Sequence, residues 1–257
     1  MRRKVIIQSM LTILCIMVAV LPGAKIVKAG SIQQNDVWVI ENQKVYKISY
    51  DGSVLATHYN NQLGEPTTID ATDPFRVTVF YQHHQQIEIL DNHGSRIGNI
   101  ISLSNLNLGE VTHVCRSSRG GLWLYHRETS ELLLTNSQIS RVIAQFSVLP
   151  LAGQTAPNVV TEADGVIYLG FGKVIERFTP YGVRLDPIAI AYEHTFVISH
   201  LYIWTINIGF AERRLLSDLS IVESKFKYPV KKNPVIIGSQ LYYFANDRLN
   251  HSEKLGQ

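Results

Sequence analysis

The side chains in this sequence with the capacity for chemistry are a few histidines, carboxylates and arginines. His83 and His84 are adjacent within the polar stretch Gln82–Gln86. Neighbouring residues on a strand point to opposite faces, and no HxH or HExxH spacing is present, so a joint metal site would need the stretch to turn. A solvated loop is the expectation, with no metal and no cofactor. His113, His194 and His200 lie on or beside short apolar runs. There they would line an interior channel or, more plainly, hydrogen-bond within a sheet. Asp70, Asp73 and Asp164 sit at turns, and Asp before Gly or Pro is first a turn former. Arg116, Arg119 and Arg127 form a local excess of positive charge that would suit an anionic group or a solvated edge. Cys115, in the apolar alternation Val111–Cys115, reads as a small buried hydrophobe. No G-x-S-x-G elbow, P-loop, G-x-G-x-x-G fingerprint or EF-hand loop occurs. The candidate ligand contacts are therefore His83, His84, Arg127, His113, His200 and Asp70.

The elements that must position these residues are short strands. Arg76–Leu90 reads as an antiparallel hairpin: two runs of alternating branched and aromatic residues flank the polar stretch. A single hairpin is marginal in water, and the chain supplies neighbours by repeating the unit. Tyr46–Leu55, Glu88–Ile97 and Glu176–Leu185 align without gaps, with Gly52, Gly94 and Gly182 at one place. Glycine there suits a turn with positive φ. The glycines are 42 and 88 residues apart, one repeat and two. A middle member is expected at Asn136-Ser137-Gln138.

Six aromatic-rich strands recur at about forty residues, beginning with Val37–Ile40 and Val77–Tyr81 and ending with Leu241–Phe244. Five are preceded by a shorter strand, as in Thr68–Asp70 and Val111–Cys115. The unit is strand, tight turn, aromatic strand, polar loop, strand, glycine turn, strand. This is the period of a β-propeller blade. The sequence predicts an all-β propeller of six blades with incomplete terminal blades, or of five if the two partial ends share one. Residues 30–257 form one domain.

Residues 1–29 have the layout of a secretory signal peptide. Arg2-Arg3-Lys4 precedes an apolar run, Val5–Leu21, and small residues stand before Gly30. The alternative is an uncleaved anchor, although the run is short for a span of about 20 apolar residues. Cleavage would lower Lys plus Arg from 24 to 19 against 21 Asp plus Glu, taking the formal charge from +3 to −2. The mature chain then has no net-charge case for nucleic acid. One cysteine would remain of two, so no intramolecular disulfide is expected.

The pattern in Val37–Leu55 and Gly165–Leu185 resembles the blades of NHL-type and related bacterial propellers. Ile69–Leu90 is similar to a segment of secreted propeller-like proteins of Gram-negative bacteria. The resemblance implies a blade and an envelope location but no particular chemistry, and the fold hosts binders and enzymes alike. The expectation is a secreted or periplasmic non-catalytic binding or scaffolding module, its partner an envelope protein, peptide or glycan. Membrane contact, at the inner membrane, would come only through an uncleaved N-terminal segment. The alternative is a hydrolase or lyase at the axial channel, built from His113, His200 and Asp70. The loops joining blades, such as Asn60–Pro66 and Leu103–Gly109, are the first place to look for a binding surface.

Overall fold

The computed structural model describes residues 25–26, 36–41, 43–49, 53–148, 156–199, 201–228, 235–237, 240–245 and 248–251. Among them the strands form six antiparallel sheets, each built from consecutive strands. The first holds β1 (Lys25–Ile26), β2 (Asp36–Glu41), β3 (Lys44–Ser49) and β4 (Val54–Tyr59). The second holds β5 (Thr68–Asp70), β6 (Val77–Tyr81), β7 (Gln86–Leu90) and β8 (Ile101–Ser102). The third holds β9 (Val111–Arg116), β10 (Leu122–His126), β11 (Glu131–Thr135) and β12 (Val142–Ser147). The fourth holds β13 (Val159–Ala163), β14 (Val166–Gly170), β15 (Ile175–Phe178) and β16 (Arg184–Ile188). The fifth holds β17 (Thr195–Ser199), β18 (Tyr202–Asn207), β19 (Phe210–Leu215) and β20 (Ile221–Lys227). The last has three strands, β21 (Val235–Ile237), β22 (Gln240–Ala245) and β23 (Arg248–His251).

The fold is an all-β propeller: five complete blades followed by a three-stranded sheet. The first strands of successive blades, β5, β9, β13 and β17, pack beside one another on the inside. The first blade gains its inner strand from Lys25–Ile26, which pairs with Val39 and Ile40. A cut after Ala29 would remove that strand. The rest of the N-terminal segment, the Gly52 turn and His200 lie outside the described residues.

The core is a series of layers between blades. Adjacent strand residues point to opposite faces, and here both faces meet a neighbouring blade. Val77, Val79 and Tyr81 pack on Trp38 and Ile40 of the first blade. Phe80 points the other way, to Leu122 and Leu124 of the third. Trp123 and Tyr125 of the third blade meet Ile167, Leu169 and Phe178 of the fourth. All five residues of β6 and of β10 are consequently buried. Trp204 and Ile206 continue the series against Leu241.

The polar stretch after β6 is a 3-10 turn, Gln82–His84, closed by Gln85 at φ 51°. The glycine turns pack on the preceding blade. Gly94 and Gly182 have φ of 78° and 83°. A Cβ at Gly94 would approach the Ala56 side chain at 3.2 Å, and one at Gly182 would meet the Phe146 ring at 2.9 Å. The expected turn after β11 is present without glycine. Ile139 takes the positive φ of 55°, and Asn136 Oδ1 accepts from the backbone of Ser140 at 2.8 Å.

Gly182→Ala combines a left-handed backbone cost with an overpacked ring. It is expected to destabilise the protein by about 2–4 kcal/mol, read as a lower urea midpoint with an unchanged slope.

Candidate functional site

The sequence-predicted residues separate in space. Asp70 is buried at the end of β5. Its Oδ1 accepts from the backbone and hydroxyl of Thr72 at 3.0 and 2.7 Å. Its Oδ2 accepts from the Arg116 backbone N–H, on the next blade, at 3.0 Å. The Arg116 guanidinium reaches Asp73 at 2.7 Å. Asp70 is thus a clamp between the second and third blades. Glu162 clamps the third to the fourth, accepting from the Ser118 hydroxyl and from Trp123 Nε1 at 2.5 Å.

His113 is half-buried on β9, with Nδ1 3.0 Å from the Thr112 hydroxyl and its ring edge-on to Tyr125. Burial pushes its pKa down, and a backbone hydrogen bond with Asn158 opposes this only in part. Three residues of strand, about 10 Å by the rise per residue, separate it from the Arg116 N–H that Asp70 holds. The structure therefore does not bring Asp70 and His113 together.

His83 and His84 are exposed, their rings edge to face with centroids 5.2 Å apart. The exposed Arg127 lies 3.6 Å from Glu110, which also accepts from Gln82 at 3.2 Å. These three predicted residues share one loop face, with the joining segment around Glu110. Among the described residues no three His, Cys, Asp or Glu side chains group as metal ligands.

A different constellation sits between the first two blades. Glu88, on β7, is fully buried. Its alternation with Ile87 and Ile89 places it in the layer facing the first blade. Oε2 is 2.8 Å from His58 Nε2 on β4 and accepts from the Tyr81 hydroxyl at 2.8 Å. Oε1 accepts from Asn60 Nδ2 at 2.9 Å and stands 3.5 Å from Arg96 Nη1. Burial by itself would raise the Glu88 pKa. The hydrogen bonds from His58, Asn60 and Tyr81, with the nearby His58 charge, overcome it and hold the value at about 2. An ionised carboxylate only accepts, so His58 Nε2 carries the proton. Burial and the Glu88 carboxylate push the Tyr81 hydroxyl well above the usual phenol range.

These groups floor an open cleft of about 540 Å³, bordered by Tyr59, Asn61, Gln62 and Gly98 besides His58, Asn60 and Arg96. The joining loop Asn60–Pro66 contributes part of it, as expected from sequence.

The fourth blade supplies an internal comparison. Glu176 and Arg184 stand where Glu88 and Arg96 stand, in register in the aligned repeats. Glu176 is equally buried and lies 3.6 Å from Arg184. Neither of its carboxylate oxygens has a hydrogen-bond partner among the described residues. The layer around it holds Tyr125, Ala144, Phe146 and Phe171 instead of histidine and amide. Among the described residues, then, the donor set around Glu88 has no counterpart around Glu176. The signal available in the sequence was this repeated Glu with Arg eight residues later, in an apolar strand.

No sequence-family profile and no curated protein matches the chain. Solved structures do. A streptogramin B lyase structure is 12% identical, with TM-score 0.58, over 90% of this chain and 83% of that one. A catalytically inactive virginiamycin B lyase from Staphylococcus aureus, solved with quinupristin, is 16% identical, with TM-score 0.57, over 90% and 80%. A nidogen–laminin complex structure is 14% identical, with TM-score 0.59, over 79% and 80%. At these identities the likeness is one of fold: a β-propeller.

Glu88→Gln removes the charge that the donors are arranged to meet. The native carboxylate has a depressed pKa, so its stabilisation is complete above the ordinary value of 4.5 and is lost as pH falls through about 2. The variant is expected to be less stable than the wild type by about 3 kcal/mol at pH 7. The deficit should shrink steadily between pH 4.5 and pH 2 in chemical unfolding measured across that window. A deficit independent of pH would mean that Glu88 matters for packing alone.

Proposed function

We propose that this chain is a secreted or periplasmic β-propeller acting as a non-catalytic binding module, with the cleft between its first two blades as the ligand seat. The observation that carries this reading is the state of Glu88. A general base needs a lone pair free to take a proton near the reacting atom. Glu88 is fully buried, and its oxygens already face four donors. It works as an anchor that fixes His58, Asn60 and Arg96 at the cleft wall, which is how a recognition surface is preorganised.

The structural neighbours include a lyase and a laminin complex, so the fold alone leaves both classes open. The alternative, a hydrolase or lyase at the axial channel, is favoured by the half-buried His113 with its lowered pKa. Its proposed carboxylate, Asp70, is committed to Thr72 and to the backbone of Arg116.

The extracytoplasmic placement rests on the basic and apolar N-terminal segment. Protein recovered from its producing cells is expected in the periplasmic or secreted fraction with Gly30 as its first residue by N-terminal sequencing. An intact Met1 in the membrane fraction would support the anchored form instead. The binding reading is tested by passing envelope glycan and peptide fractions over the immobilised protein. A component retained in saturable fashion and eluted with unchanged mass is the expected result. A component released as a cleaved or eliminated product would establish an enzyme.

A further inference from the structure

The groups at the first cleft that Glu88 does not consume specify a ligand. The Arg96 side chain is 43% exposed, and its contact is the long 3.5 Å approach to Glu88. That leaves most of the guanidinium fork available. The His58 ring points one nitrogen at Glu88 and has Nδ1 left over. Asn61 and Gln62 present exposed side-chain amides. Tyr59 is 48% exposed, and its hydroxyl donates to Gln43 at 3.2 Å.

Cavities for small ligands are mostly apolar with a few polar groups. This one is the reverse: apart from Gly98, every residue that lines it carries a polar side chain. A matching ligand brings hydrogen-bonding groups around most of its outline. A sugar ring has that form. The charge balance adds a second requirement. The Arg96 guanidinium, held only loosely by the buried Glu88 carboxylate at 3.5 Å, is the charged group that the cleft exposes. A planar guanidinium pairs best with a planar carboxylate, through two parallel hydrogen bonds. In the fourth blade the corresponding Arg184 lies over the Phe178 ring at 5.4 Å.

We infer that the cleft between the first and second blades binds an acidic saccharide, with Arg96 on the sugar carboxylate and Asn61, Gln62 and His58 on hydroxyls. This rests on the binding reading above. The probe is trigalacturonate, titrated into the purified full chain by calorimetry. Maltotriose serves as the uncharged sugar and citrate as the carboxylate without a sugar. Saturable binding of trigalacturonate is expected, with about tenfold or weaker binding for each comparator, the worth of one charge-assisted pair. Arg96→Ala and Arg96→Lys should each lose about tenfold, since lysine keeps the charge but not the fork. Arg141→Ala, remote from the cleft, should lose nothing. Thermal unfolding of each variant separates a lost contact from a lost fold. Absent binding of trigalacturonate, equal binding of maltotriose or citrate, or full binding by both Arg96 variants would overturn the inference. Mass spectrometry of the recovered sugar keeps the two readings apart. Shortened or unsaturated products would overturn the non-catalytic reading and leave the acidic-saccharide site standing. Neither binding nor breakdown would overturn the site and leave the module reading intact.

Discussion

The constraint on which the structure depends is that each blade must cover both of its faces with its neighbours. A lone four-stranded sheet of these sequences would leave Phe80 or Tyr81, and Leu124 or Trp123, in water. Stacking the sheets around an axis buries both sets at once. It also leaves polar residues on the central strands without solvent, because the usual polar face of an antiparallel strand no longer exists. Every charged residue there must find its partner inside. Asp70, Glu88, Glu162 and Glu176 are four answers to that demand. The first three find donors, mainly on an adjacent blade, and lock blade to blade. Among the described residues Glu176 has only the approach of Arg184.

That difference gives the Glu88 site its meaning. A carboxylate that served only to join two blades could be as spare as Glu176, or could bond backbone, as Asp70 does with Arg116. Glu88 instead collects a histidine, an amide, a phenol and an approaching arginine, three of which border an open cleft. The cost of burying a charge is offset by four interactions, and those interactions hold cleft groups in fixed positions. Stability and recognition are coupled through one side chain.

Much of the architecture was legible because it is written in local chemistry. Period-two alternation marked the strands, the aromatic runs marked the second strand of each blade, and Gly94 and Gly182 marked the turns that press on the blade before. The short strand before five of the six aromatic ones was legible for the same reason, whereas the first blade's, Lys25–Ile26, lies in the stretch read as a signal peptide. The site was less so. His83 and His84 stand out as a pair in the sequence, yet they lie on an exposed turn. Glu88 reads as the polar member of an alternating strand, which in most sheets faces water. Only the blade-on-blade packing turns it inward. Its partner His58 is 30 residues away on an outer strand whose pattern is that of an ordinary sheet edge, and no local rule joins the two. The joining loop Asn60–Pro66 was identifiable as a surface to inspect, without the residues that give it chemistry.

The most direct test of the account is hydrogen exchange of the protein with and without the envelope fraction it retains. The account places new protection at residues 58–62 and 96–98, on the two walls of the cleft. Protection at the 82–85 and 127 loops, or along the inner strand carrying His113, with the cleft unchanged, would contradict it.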